Sequence, residues 1–501
     1  MIIVIVPFTF AESVDNETII LDNHDENILE NNNDYYFDAS ALDDDGDGSL
    51  QHPYKYLTQE RVKENSTIHL AEGEYALYNG NLINKVNIIG SNPEKTSLNN
   101  HGRYLRVDDY VTLTNITLKN ATIINYGSIA AENTVFCDGE GIGFSDGSSY
   151  GGAICSLTGD DNSKITLIDC RFENNLATRG GAIYMSCGYL EIIRSTFAGN
   201  YAYSYGGAIA CENANLIVSR SEFKDNHANG FGGAISCDFC GDVIISESNF
   251  TRNYCIDDAG GSIYIKSSDS LTARNLNISH SSATFGGSIT SLATDVSLDN
   301  ISIYNSTVRY AGGAIYHMYN DLKISNSNLV NNTARNGGAV YIDNSTFVLR
   351  DNDFTNNTAL IRAGAIYSIF NFNNDFTQNT FKNIHANSFN DVYETNLLNL
   401  TIGNGNYMLF KLTEEEINDL PSNYSLVDYD YVTPIKDQAD GGSCWSFTAI
   451  AVLESCIKKI TGRDYDFSEE NMKNMMAVFS DYGKPDTYVN EEGQIQWYGH
   501  T

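Results

Sequence analysis

The stretch FAGNYAYSYGGAIACENANLIVSRSEFKDNHANGFGGAI, residues 197–235, decides the fold. It runs twice through one pattern: Phe197-x-x-Asn200 leads to Gly206-Gly207-Ala208-Ile209, and Phe223-x-x-Asn226 leads to Gly232-Gly233-Ala234-Ile235. Followed outward, the first glycine recurs at Gly151, Gly180, Gly206, Gly232, Gly260, Gly286, Gly312 and Gly337. Ala363-Gly364 closes the series, and the spacings are 29, 26, 26, 28, 26, 26, 25 and 26 residues. A period of this size marks a solenoid, in which each unit is too small to fold alone and is covered by the next.

Within a unit, apolar and polar positions alternate, as in Leu190/Ile192, Leu216/Val218, Val243/Ile245, Leu322/Ile324 and Phe347/Leu349. Period two belongs to a half-buried strand, not to a helix. A second apolar column stands three residues after the first glycine (Ile154, Ile183, Ile209, Ile235, Ile263, Ile289, Ile315, Val340, Ile366), always preceded by Ala or Ser. The third is the Phe of Phe-x-x-Asn, at Phe172, Phe197, Phe223, Phe250 and Phe354, with Leu329 as a variant. Its Asn is expected at a turn, tolerating left-handed backbone and hydrogen-bonding its equivalent one coil away. The fold class is therefore mainly β, a right-handed parallel β-helix over residues 65–400. The hand follows from the general bias of parallel crossovers, since periodicity alone leaves it open.

These GGAI and FxxN units resemble the polymorphic outer-membrane protein repeats and the adhesin-like proteins of methanogenic archaea. Residues 36–39 (YFDA), the turn DGDG at 45–48 and STIHLAEGEY at 66–75 resemble the first strands of the same proteins, where a cap shields the open end of the helix. The resemblance implies a surface-displayed, adhesin-like protein.

The chain of 501 residues carries 30 Lys+Arg against 64 Asp+Glu, a formal charge of -34. That balance repels phosphate backbones and excludes nucleic acid as a partner. The opening MIIVIVPFTFA, residues 1–11, reads as a secretion signal too short to span a bilayer, and no other segment could span one. Thirteen Asn-x-Ser/Thr sequons, among them Asn115, Asn120, Asn300, Asn305, Asn331 and Asn356, fit a glycosylated extracellular or cell-surface protein.

Several residues on the repeats invite chemistry. Asp43, Asp45, Asp47 and Gly48 match the first half of a calcium loop, yet Tyr54 stands where the closing acid belongs, so a solvated turn competes with a metal site. Cys211 and Cys237 share one offset in adjacent coils, which admits either a disulfide or a buried thiol ladder. Cys237-x-x-Cys240 lacks a second pair for zinc, and Cys255 occupies a column otherwise filled by Ala177, Ala202, Ala228 and Ala334. Tyr184, Tyr264, Tyr316, Tyr341 and Tyr367 follow the inward Ile and are expected to face outward, as a binding row for glycan or protein or as simple stacking. No recurring cluster of acid, Lys and Arg marks a polysaccharide-cleaving face.

After residue 400 the repeat stops. A linker over 401–419 is followed by a new unit, 420–501, whose Val432-Thr433-Pro434-Ile435-Lys436-Asp437-Gln438 and Gly442-Ser443-Cys444-Trp445-Ser446-Phe447 resemble the papain-like (C1 family) cysteine peptidase signature. Cys444 opens a stretch with Phe447, Ile450, Leu453 and Ile457 at helical spacing, ended by Gly462. A thiol at a helix N-terminus is favoured as thiolate by backbone N–H groups and the helix dipole. The resemblance makes Cys444 the nucleophile and Gln438 an oxyanion-hole donor, with no cofactor or metal required. Gly441 and Met475 stand where the family carries a disulfide pair, which implies a subgroup without that bridge. In the family the His base and its Asn lie roughly 130–150 residues past the nucleophile, so His500 is too early and the unit reads as the N-terminal, helical part only. A chain without that His is expected to be a crippled peptidase.

The leading expectation is thus an extracellular β-helix bearing a papain-like peptidase module that acts on protein or peptide substrates. The helix itself would face host or microbial surface glycans or proteins. The alternatives are a non-catalytic adhesin with a peptidase remnant and, more weakly, a polysaccharide-active β-helix.

Overall fold

The structure is a computed structural model. It describes residues 33–395 apart from 146 and 158–162, and beyond them 401–402, 405–406, 450–455, 458, 466–467, 487–489 and 495–497. The chain divides into two compact units, Met1–Leu409 and Phe410–Thr501.

The first unit is a parallel β-solenoid. Among the described residues its strands stack into four sheets of 14, 13, 11 and 12 strands, the 11-stranded one beginning only at Ile142–Gly143. Pairing is in register: Leu190 lies on Leu216, Leu216 on Val243, and Val243 on Leu271. The columns read from sequence are buried, with Ile209, Ile235, Leu216, Val218, Phe197 and Phe223 all fully inside. The first sheet starts earlier than residue 65, because Asn33–Phe37 pairs with Ser66–Leu70 as its outermost strand.

In-register stacking turns each column into a ladder. Phe136, Phe172, Phe197, Phe223 and Phe250 stack with ring centroids 4.6–4.8 Å apart and planes within 5° of parallel. Beside them runs a buried amide ladder. Asn200 Nδ2 donates to Asn226 Oδ1 (2.9 Å) on one side and to the Phe172 carbonyl (2.9 Å) on the other. Asn226 Oδ1 also accepts from the Asn200 backbone N–H (3.0 Å), so both donors of the ladder Asn and its own N–H are satisfied inside the core.

Three details differ from the sequence reading or go past it. The left-handed backbone falls not on the ladder Asn but on the residue before it: Asn174, Gly199, Asp225 and Arg252 have φ of 56°, 66°, 55° and 53°. The ladder Asn is thereby freed to point its amide along the axis. The two glycines also have separate tasks. Gly206 takes φ of 63°, while a methyl on Gly207 would collide with the Gly233 carbonyl of the next coil. Finally, the Ala/Ser choice before the inward Ile has a cause. Where Ser281 and Ser306 replace the ladder Asn, Ser262 and Ser288 replace the Ala, and the hydroxyls pair at 2.8 Å (Ser262–Ser281, Ser288–Ser306).

Two consequences can be measured. Asn226→Ala strands the Phe197 carbonyl and the N–H groups of Asn200 in the core. It should cost about 2–4 kcal/mol in urea unfolding, more than an exposed Asn→Ala elsewhere. The second concerns His317, which is fully buried with Nδ1 2.8 Å from Ser291 Oγ. Burial holds its ring down to about 4, from an ordinary 6.5. The unfolded chain therefore takes up the proton first as pH falls, and the contribution of the neutral ring, complete above about pH 6.5, drains away towards pH 4. The loss should reach about 3 kcal/mol and be absent from His317→Gln when unfolding is followed across that window.

Candidate functional site

In the second unit the described residues include a helical segment, 450–455. It lies where the apolar periodicity after Cys444 predicts helix. Ile450 is buried as expected, but Leu453 is 46% exposed, and the residue sharing the buried face with Ile450 is Glu454. Positions four apart lie on one side of a helix. A buried carboxylate needs a donor, and Glu454 Oε1 accepts one from the Phe467 backbone N–H at 2.7 Å. Further on, Thr487–Val489 and Ile495–Trp497 pair as an antiparallel hairpin. Cys444, Gln438, Gly441, Cys456, Met475 and His500 lie outside the described residues, as does the proposed signal segment 1–11.

On the solenoid, two carboxylates of the acidic turn, Asp44 and Asp47, take protein donors. Asp47 Oδ1 accepts the Ser49 N–H (2.9 Å). Asp44 Oδ1 accepts the Lys55 N–H (3.0 Å) and pairs with Arg61 Nη1 (2.8 Å), whose guanidinium lies 4.0 Å above the Tyr54 ring. Among the described residues no three His, Cys, Asp or Glu side chains converge as a metal site, Asp43, Asp45 and Asp47 included. Cys211 and Cys237 are register partners and stand as free thiols. They hydrogen-bond one another and Cys240 joins Cys237; these bonds to Cys211 and Cys240, with burial added, push the Cys237 thiol well above its usual range. Cys255 fills the alanine column as read, facing Ala228.

The tyrosine row splits. Tyr316, Tyr341, Tyr367 and Tyr393 stack at 4.8, 5.1 and 4.9 Å, each ring face covering the next. Such a row presents edges to solvent, and sugar stacking needs open faces. Tyr184 and Tyr264 are not on the surface at all: Tyr184 is 6% exposed, packed against Tyr150, and Tyr264 packs against Phe231.

Beneath these rings stands a mixed charged cluster that the sequence reading missed. Arg179 pairs with Glu212, and Tyr184 donates to Glu212 Oε2 at 2.9 Å. Asp238 is the register partner of Glu212, and Lys266 that of Asp238. Asp238 Oδ1 is buried without a hydrogen-bond partner, and burial, reinforced by Glu212 and opposed by Lys266, raises its carboxyl above the ordinary range. The signal was present as one offset, six residues past the first glycine, holding Glu212, Asp238 and Lys266 in successive coils.

Comparison with known proteins falls on both units. Residues 169–186, 194–212 and 220–238 match the Chlamydia polymorphic membrane protein repeat. The matched stretches lie in three successive coils of the solenoid. Residues 420–477 match the papain family of cysteine proteases. Similar curated proteins include caricain of Carica papaya, 33% identical over 94 residues, which are 19% of this chain and 26% of caricain. Papain of Carica papaya is 31% identical over 99 residues, 19% of this chain and 27% of papain. A senescence-specific cysteine protease of Oryza sativa is 34% identical over 74 residues, 15% of this chain and 22% of that protein. The chain thus spans about a quarter of the length of the curated relatives it matches. No solved structure matches it significantly.

Asp238 offers a direct test of the charged cluster. A carboxyl whose folded value is raised loses stability as pH rises, because the unfolded chain gives up its proton first. Asp238→Asn should therefore raise the melting temperature at pH 7, and the gain should shrink as pH falls towards 4.

Proposed function

We propose that this is an extracellular, surface-displayed protein in which a parallel β-helix stalk carries a papain-like cysteine peptidase module. The observation that carries the reading is the match over residues 420–477, which contains Gln438 and Gly442-Ser443-Cys444-Trp445 with the spacing between the two parts kept. In this reading the Cys444 thiolate attacks the carbonyl carbon of a peptide bond, and the Gln438 side-chain amide and the Cys444 N–H hold the oxygen that becomes negative. The substrates are proteins or peptides, and no cofactor takes part. In this family a His takes the thiol proton, returns it to the leaving amine as the C–N bond breaks, and then activates water for the second step; no His lies within the matched residues 420–477.

The helix has a separate part to play. Its repeats, matched to a membrane protein family, support display at a surface, with glycans or proteins of other surfaces as partners. Among the described residues no helix is long and apolar enough to cross a membrane. The rival reading is an adhesin whose peptidase part no longer reacts; the joint absence of both halves of the family disulfide, at Gly441 and Met475, marks a subgroup without that bridge and leaves Cys444 in place.

A thiol-directed peptidyl epoxide separates the two. The peptidase reading expects covalent labelling at Cys444 in the intact protein, found by peptide mass mapping and lost in Cys444→Ala. Labelling that spares Cys444, under conditions where papain reacts, overturns it in favour of the adhesin.

A further inference from the structure

One aromatic column on the outside of the solenoid ends in the open. Tyr201, His227 and Tyr254 are successive register partners in the 11-stranded sheet. Their rings stack at 4.3 and 4.8 Å, with planes 18° and 7° apart. Rings stacked in this way turn their faces along the axis, so each face is covered only by what the adjoining coil supplies. In the coil after Tyr254 the partner is Ser282, and the partner of Ser282 is Thr307. A serine side chain is too small to cover a phenol ring. One face of Tyr254 therefore lies on His227 and the other looks out over Ser282, and the residue is 37% exposed. Ile256, the next outward residue, is 53% exposed beside it. Ser282 and Thr307 are themselves exposed and extend the open ring face into a shelf of hydroxyls.

The surroundings limit the charge of what can bind. The strands that build the shelf, His227–Ala228, Tyr254–Cys255 and Ser282–Phe285, carry no Asp, Glu, Lys or Arg. Burial holds the His227 ring below its ordinary range, so the stack is uncharged near pH 7. Asp257, exposed in the turn that follows, and the net charge of -34 oppose an acidic ligand. A pyranose has what this surface lacks a partner for: an apolar C–H face of about one ring's size, and a rim of hydroxyls that both donate and accept. We propose that the open face of Tyr254, with Ile256, Ser282 and Thr307, is a binding site for a neutral sugar residue of a surface glycan. The sugar ring lies on Tyr254, held rigid from behind by His227 and Tyr201, and its hydroxyls bond to Ser282 and Thr307. The proposal rests on the reading of the solenoid as facing surface glycans and is independent of the peptidase unit.

The test is ligand-observed saturation-transfer NMR on the intact chain with methyl glucoside, methyl galactoside and methyl mannoside, and with methyl glucuronide as the acidic counterpart. The expected result is transfer to ring C–H protons of at least one neutral glycoside, and weaker transfer to the glucuronide. Tyr254→Phe should keep the signal and Tyr254→Ala should lose it. Ser282→Phe supplies a second variant: at this exposed position it continues the ring ladder, covers the open face and should abolish transfer without touching the core. Tyr341→Ala, in the row whose faces are already covered, should leave the signal unchanged. Transfer that survives both Tyr254→Ala and Ser282→Phe overturns this site while leaving a glycan-facing solenoid standing. Absence of transfer to every neutral glycoside in the intact chain overturns both, and transfer to the glucuronide equal to that of the neutral sugars overturns the choice of ligand.

Discussion

The structure depends on one constraint: every buried side chain must sit on its counterpart in the next coil, about 4.8 Å away along the axis. Parallel strands stacked coil on coil impose this. A column must therefore hold a group that packs well against copies of itself. Phenylalanine does so by offset stacking, isoleucine by interlocking branches, and asparagine by presenting a donor upward and an acceptor downward. Glycine enters where the backbone itself is the neighbour, as between Gly207 and the Gly233 carbonyl.

The same constraint shapes the outer faces and limits what they can do. Rings at one offset cover one another, so the row from Tyr316 to Tyr393 is stabilised along the axis and has its faces in use. Charges at one offset are brought together whatever their sign, which is how Glu212, Asp238 and Lys266 become neighbours, while Arg179 reaches Glu212 from the strand before the glycine pair. Open space arises where the chain leaves the repeat. The turn around Leu50 and the first sheet enclose a cavity lined by Tyr36, Asp38, Leu50, Pro53 and His69 among others.

Periodicity reveals much of this architecture because inward columns recur at a fixed spacing and need no knowledge of distant contacts. It reveals less about corners. Asn200 was readable as a ladder residue, but the left-handed position one residue earlier is held by Asn, Gly, Asp or Arg in different coils and leaves no single signature. The outward orientation of Tyr184 followed correctly from alternation. Its burial did not, since that depends on Tyr150 and the Glu212 carboxylate, contributed by neighbouring coils. On the second unit, helical spacing placed Leu453 inside by its hydrophobicity, whereas the buried place belongs to Glu454, whose partner Phe467 lies outside the helix.

By itself the sequence determined the solenoid and its inward columns, because both are written in local spacing, and it carried the resemblance of the unit from residue 420 onward to cysteine peptidases in two short motifs. Only the tertiary structure decided which outward residues meet. Partners such as Glu212 and Asp238, or Tyr36 and His69, are separated along the chain by a whole coil, and their contact exists only once the register between coils is set. That register depends on core ladders shared by all coils, so the chemistry of the surface is a consequence of packing inside.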